Sequence, residues 1–302
     1  MKERNLIMSK IKILTDSGSD ITISQAEKLG IRMLPIMFSF DGETYYKEGI
    51  DMSKDQFYEK LSDTESAIPK TTQVTPIRYS DAFNEEYDNG YDTLIVITIS
   101  SKGSGMYQNA VLSAQEVMDE RGGEIIVVDS HGFSCLYGGG VVHAAHMLRD
   151  GKSKEEIVSY LEDVYTTMHA YFLVGDMTYL KRGGRINAAT FVIANVLDIK
   201  PVLAIKDGLV VQDGKLRGSK KLLKKLVEKA KTDGFDLTGK SVFAVHSAQQ
   251  EKCEELKGEL TSAFENVSTI NLRLGSVIGC HGGPDLVGFV FSDKYNFEDY
   301  ED

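Results

Sequence analysis

Positive charge is in short supply in this chain of 302 residues: 34 lysines and arginines stand against 45 acidic residues, giving a formal net charge of −11. That balance disfavours a nucleic-acid footprint or a broad anionic-membrane surface. Cysteine is nearly absent. Cys135, Cys253 and Cys280 are too few and too scattered for a disulfide framework or a CxxC site. Reduced thiols and a cytoplasmic location are the expected context. No run approaches the roughly 18 apolar residues that span a bilayer, and the N-terminus has no signal-peptide core. Tryptophan is missing altogether, which excludes nothing. No His, Cys and carboxylate set has metal-ligand spacing, so no metal or other cofactor is expected. The serine-glycine loop at Ser100 is neither a Walker loop nor GxSxG.

What remains is a soluble globular composition, 42% apolar and 26% charged, long enough for two domains. Short β-branched runs alternate with amphipathic segments. Strands are expected at Ile11–Thr15, Arg32–Met37, Leu94–Ile99 and Ile125–Asp129. Helices are expected at Ser24–Leu29, Ser53–Leu61, Pro76–Tyr87, Gly105–Asp119, Leu136–Leu148 and Ser153–Met168. This alternation predicts an α/β first domain, residues 1–168, with a mostly parallel sheet covered on both faces. The second pattern predicts an α+β domain, residues 169–302, with a mixed sheet. Its expected strands are Tyr171–Val174, Lys200–Ile205, Ser241–His246 and two near Ser268–Leu272 and Leu286–Phe291. The segment Thr178–Arg185 follows the first of these strands, and the expected helices are a small-residue helix Asn187–Leu197, Ser219–Lys231 and Gln249–Phe264. Asp207-Gly208 reads as a hairpin turn.

Three polar segments carry the chemistry. Lys70-Thr71-Thr72-Gln73 lies between Pro69 and Pro76, which favour an extended turn with free hydroxyls. Its plainer reading is a helix cap by Thr72 or Thr75, with Pro76 at the first helical position. Ser100-Ser101-Lys102-Gly103-Ser104-Gly105 leaves a buried strand and enters a helix, an arrangement that suits an anion. Ordinary capping by Ser101 or Ser104 explains it equally well. His281, in Val277-Ile278-Gly279-Cys280-His281-Gly282-Gly283-Pro284, is expected at a loop tip, where it meets the other two segments. Together they read first as the binding site of a small anion. The competing reading is a serine hydrolase with Ser104 as nucleophile and His281 as base, although no acidic third member is evident.

Other candidates rank lower. Asp16-Ser17-Gly18-Ser19-Asp20 is a ligand loop or a turn with an Asx bond. His246 stands at a strand end, whereas His143 and His146 read as ordinary core or surface groups. Residues Asp213 to Lys231 hold eight basic and two acidic side chains. That run is either a solvated helix face or a docking surface for an acidic or phosphate-bearing partner.

In this order, Ile13-Leu14-Thr15-Asp16-Ser17, Lys70–Gln73, Ser100–Gln108, Val127-Val128-Asp129-Ser130, Leu180–Ile186, Ile199-Lys200-Pro201 and His281–Gly288 resemble the DegV family of bacterial fatty-acid-binding proteins. The resemblance implies two α/β domains, with an acyl chain in a tunnel of the first and its carboxylate near the cleft. It implies that Thr71, Ser104 and His281 bind that carboxylate. Arg185 and Arg217 resemble arginines used for phosphoryl transfer or docking by members that partner a fatty acid kinase, whose product is an acyl phosphate for phospholipid synthesis. A long-chain fatty acid and a separate kinase subunit are therefore the implied partners, and the chain itself is implied to be a non-catalytic carrier. It departs from the family pattern at Gly103, where a leucine is usual, and at Pro284-Asp285. A looser loop and an extra carboxylate near the site are expected there. Burial at about 0.8 kcal/mol per methylene lets about 14 methylenes contribute roughly 11 kcal/mol before binding costs, so the head group mainly orients.

Overall fold

The computed structural model describes residues 10–63, 68–186, 199–218 and 221–301. Its strands are β1 (Ile11–Asp16), β2 (Arg32–Leu34), β3 (Met37–Ser39), β4 (Tyr46–Lys47), β5 (Lys70–Thr71), β6 (Thr93–Thr98) and β7 (Glu124–Asp129) in the first half. The second half contributes β8 (Met168–Leu173), β9 (Ile199–Lys206), β10 (Leu209–Arg217), β11 (Ser241–His246), β12 (Ser268–Arg273) and β13 (Val287–Ser292). The helices are α1 (Ile23–Lys28), α2 (Lys54–Ser62), α3 (Pro76–Asp88), α4 (Met106–Arg121), α5 (Cys135–Arg149) and α6 (Lys154–Val164), followed by α7 (Thr178–Gly183), α8 (Leu222–Thr232), α9 (Gln250–Ala263) and α10 (Ser276–Gly282).

The first sheet runs β2-β1-β6-β7, and every pair is parallel. Its centre is β6, whose six residues are all buried, as a parallel strand covered on both faces requires. The second sheet runs β10-β9-β8-β13-β11-β12, antiparallel except for β11 with β12. Its hairpin turns at Asp207 (φ 50°) and Gly208 (φ 75°), the left-handed pair that matches strand twist.

Side-chain alternation in the second sheet places the site. Tyr171, Leu173, Val287, Phe289 and Phe291 pack with Leu223, Leu226 and Val227 of α8 and Leu256 and Leu260 of α9. The intervening Ala170, Phe172, Val245 and Val290 join the main core shared with the first half. The second sheet is thus closed by helices on one face and by the N-terminal half on the other.

Four expectations need correction. The single strand Arg32–Met37 is two strands in different sheets, because Pro35 lacks the N–H that would continue the ladder. β3 instead pairs with β4 and β5 in a small antiparallel sheet that was not expected. Helix Ser153–Met168 stops at Val164, and Met168 opens β8 opposite Ser292. His281 lies in the last turn of α10 rather than at a loop tip. The expected helix Asn187–Leu197 lies outside the described residues, as do Ser219 and Lys220 of the lysine-rich helix.

Candidate functional site

Thr71 is placed by the small sheet. It pairs with Phe38, and the next residue donates its backbone N–H to Met37 O at 2.8 Å. Thr75, not Thr72, caps α3, with Pro76 at the first helical position, so Thr71 and Thr72 are left for other work. Ser104 precedes α4, whose cap is Gly105 without a side-chain hydrogen bond. Neither Ser101 nor Ser104 therefore serves as the cap.

Thr71, Thr72, Gln73, Ser104, Arg185 and His281 all line one cavity of about 110 Å³. That is on the order of ten times the space one buried water needs. Apart from Ser134, the rest of the wall is apolar: Ile36, Ile99, Met106 and Leu136 come from the first half, and Ala170, Phe172, Val245 and Val290 from the second. The inner face of the second sheet closes the cavity, so both halves of the chain line it.

His281 Nε2 lies 3.0 Å from Thr71 Oγ1, while Nδ1 is buried with no hydrogen-bond partner among the described residues. Burial first, and the Arg185 guanidinium second, push the imidazole down to about 4. The ring is consequently neutral at pH 7. A proton on Nδ1 would have no acceptor, so the neutral ring is protonated at Nε2 and donates to Thr71 Oγ1. This leaves the Thr71 hydroxyl hydrogen for an anion in the cavity. Thr72 Oγ1, buried and unpartnered in the same wall, is a further donor that the sequence reading did not single out.

Arg185 supplies the charge that His281 does not. Its Nε donates to Gly103 O at 3.0 Å and its Nη1 to Gly183 O, so it joins the loop before Ser104 to the end of α7. The resemblance implies phosphoryl transfer or docking for Arg185 as for Arg217, and Arg185 stands in the cavity wall. Arg217 ends β10 as an exposed residue outside that wall, its carbonyl accepting from Lys225 Nζ. Much of the basic run around it is engaged: Lys229 pairs with Asp213 and Asp233, and Lys224 with Glu228.

The departures at Gly103 and Asp285 have clear outcomes. A Cβ on Gly103 would fall 2.4 Å from the Phe133 ring, so that ring fills the side-chain volume and the loop is packed, not loose. Asp285 turns away from the cavity and accepts from Gln249 Nε2 at 2.8 Å. The hydrolase geometry is not met: His281 bonds Thr71 rather than Ser104, and no carboxylate bonds its Nδ1 among the described residues. His246 is buried at the end of β11 but lies outside the cavity wall. Asp16 acts structurally, accepting from Gly18 N, Ile99 N and Tyr137 Oη.

Residues 10–294 match the model of a family described as uncharacterised proteins of the DegV family. A DegV domain-containing protein of Caldanaerobacter subterraneus is 35% identical over 287 residues, covering 95% of this chain and 100% of that one. A fatty-acid-binding DegV family protein from Thermus thermophilus superimposes with a TM-score of 0.82 at 29% identity, over 94% of this chain and 99% of that one. A stearic acid-binding protein from Eubacterium ventriosum gives 0.80 at 29% identity, over 96% and 99%. No helix among the described residues is long and apolar enough to cross a membrane.

Proposed function

The chain belongs to the DegV family, and on that premise we propose that it is a carrier of one long-chain fatty acid. The observation that carries this reading is the cavity itself: an apolar wall ending in Thr71, Ser104, Arg185 and His281. A carboxylate taken out of water needs hydrogen-bond donors, and a guanidinium beside neutral hydroxyls and an imidazole meets that need. Fatty-acid binding by the Thermus thermophilus protein and stearic acid binding by the Eubacterium ventriosum protein support it. Residues 1–168 then contribute the threonine and serine of the head-group site, and residues 169–302 its histidine and arginine. Lipid extraction and mass spectrometry of the purified protein should recover about one fatty acid per chain. Recovery of none, with no binding of added palmitate or oleate, refutes the carrier.

In the finer version, the protein is cytoplasmic and does no chemistry itself. It presents the carboxylate to a separate ATP-dependent fatty acid kinase, whose acyl phosphate feeds phospholipid synthesis. A second cavity of about 270 Å³ supports this, because Thr71, Arg185 and His281 separate it from the acyl cavity and Lys70 and Arg182 line it on the other side. Three cations around that space suit a phosphoryl group in transfer. Arg217, exposed and apart, is assigned to docking the kinase. Incubation with a fatty acid kinase, ATP and palmitate tests this version, since absence of acyl phosphate removes the partner but leaves the carrier intact.

A further inference from the structure

Asp20 and Glu48 are buried, at 6% and 7% exposure, and neither lines the acyl cavity. Both aim at the first turn of α10. Asp20 Oδ1 accepts the Gly275 N–H at 2.7 Å, and Glu48 Oε1 accepts the Val277 N–H at 2.7 Å. The other oxygen of Asp20 accepts from Ser134 Oγ, where the backbone is held at φ 55°, ψ −140°. Such a conformation persists only when its surroundings enforce it. Ser134 also lines the acyl cavity. A Cβ on Gly275 would lie 2.4 Å from both Asp20 Oδ1 and Glu48 Oε1, so the carboxylates are close neighbours and only glycine fits between them.

A helix of seven residues does not hold itself, and the cap residue of α10 makes no side-chain hydrogen bond. Its direction is set by what grips it. Val277 and His281 are one turn apart on the same face, so the Glu48 bond anchors the backbone about 6 Å behind the imidazole. We infer that Asp20 and Glu48 are positioning residues for His281, fixing the axis and depth of α10 through its first-turn N–H groups. The inference rests on the reading of His281 as a head-group residue.

The pocket beside the pair does not call for a metal ion. Lys54 lines it and already supplies a cation, with Nζ donating to Arg273 O. Two neighbouring buried carboxylates resist double ionisation. Burial, then the charge of Asp20, pushes Glu48 up to about 8, and burial also raises Asp20. The pair therefore holds a proton at neutral pH, while Glu48 Oε2 has no hydrogen-bond partner among the described residues. The groups facing it are Lys54 and Tyr58 of α2, Cys135 and Tyr137 of α5, Arg273 of β12, Cys280 of α10 and Asp16 beyond Tyr137.

The test is a double-mutant cycle read by palmitate affinity. Glu48→Ala and His281→Ala should each weaken binding, by about tenfold. The double variant should be no weaker than the worse single, because both remove the same contact. Glu48→Gln, which keeps an acceptor for Val277, should recover most of the loss. Additive losses, or a glutamine variant as weak as alanine, overturn the inference. Glu48→Leu, which keeps volume without an acceptor, replaces the alanine variant if that one does not fold. The unmutated protein gives a second readout by ¹⁵N NMR. Gly275, Val277 and the His281 imidazole should share a titration midpoint near 8, apart from the ring's own near 4. A His281 signal blind to the pair's titration overturns the inference even if no palmitate binds, so failure of the carrier reading is separable.

Discussion

Gly183→Ala should damage the head-group site without damaging the fold. Gly183 closes α7, and a Cβ there would lie 2.3 Å from His281 Nδ1. Ordinary contacts of this kind begin near 3.4 Å, so the imidazole or the helix end must move by about 1 Å. The Nε2 to Thr71 Oγ1 distance, now 3.0 Å, would then pass beyond hydrogen-bonding reach. With the ring displaced, the Thr71 hydroxyl is no longer oriented toward the carboxylate, and one hydrogen bond to the ligand lost at about 1–3 kcal/mol is roughly 5- to 150-fold in affinity. Helix propensity acts the other way, since alanine for glycine favours a helix by up to about 1 kcal/mol. Calorimetric titration with palmitate should therefore show a weakened site, while thermal melting of the ligand-free protein falls little or not at all. Wild-type affinity, with the His281 imidazole resonances unmoved, would refute the geometry argued here.

Arg185→Ala should weaken palmitate binding by about tenfold or more through loss of the cavity's cation, and NMR should show the His281 imidazole titrating higher than about 4. Arg217→Ala should leave palmitate affinity unchanged and reduce kinase-dependent acyl phosphate formation, an effect that raised salt should mimic. Stability should vary with pH in two opposed ways. The contribution of His281, depressed from 6.5 to about 4, is present above pH 6.5 and lost as pH falls toward 4. That of Glu48, raised from 4.5 to about 8, is present below pH 4.5 and lost as pH rises through 8. Between pH 6.5 and 8 the slope of the Asp20–Glu48 pair dominates, because Asp16, raised to about 6, has largely titrated. Denaturant titrations of Glu48→Gln should be flatter in that window, and an unchanged slope would place the titrating group elsewhere.

Local pattern revealed the elements that local pattern stabilises. Leu94-Ile95-Val96-Ile97 reads as a buried strand whatever follows it, and Asp207-Gly208 reads as a hairpin because the turn needs positive φ. The missed elements are held by partners far along the chain. α10 is gripped by Asp20 and Glu48, which lie 255 and 229 residues from the N–H groups they accept. Its own residues show neither a cap nor an apolar stripe. The small sheet rests on strands of two and three residues, too short for alternation to register, although Pro35 did mark the break between β2 and β3. The resemblance gave Arg185 a phosphoryl-transfer or docking role, and nothing in the sequence places it in the cavity wall, where it is held by the carbonyls of Gly103 and Gly183. Backbone carbonyls leave no residue-type signature.

The site has a consequence for how the two halves of the chain depend on each other. Thr71 and Ser104 come from the first half, and Arg185 and His281 from the second, so the proposed head-group site needs both halves. The same division runs along the apolar wall, where Ile99 and Met106 face Phe172 and Val290 across the cavity. Direct links bracket it: Arg185 reaches Gly103 O, His281 reaches Thr71, and Ser100 Oγ donates to Gly208 O at the β9–β10 turn. An acyl chain in that cavity would bury methylenes against both walls at once, so its binding energy would act as cohesion between the halves. At a ligand concentration 100 times Kd, such linkage adds about 2.7 kcal/mol to stability. In the proposed carrier, apolar burial would thus supply the affinity, and the four polar side chains would set the register of the carboxylate. A change at Gly183 reaches the proposed head-group site through His281 and through the Arg185 bond to its carbonyl, and a change at Glu48 through α10, so each is expected to alter the head group's hold and leave the apolar wall intact.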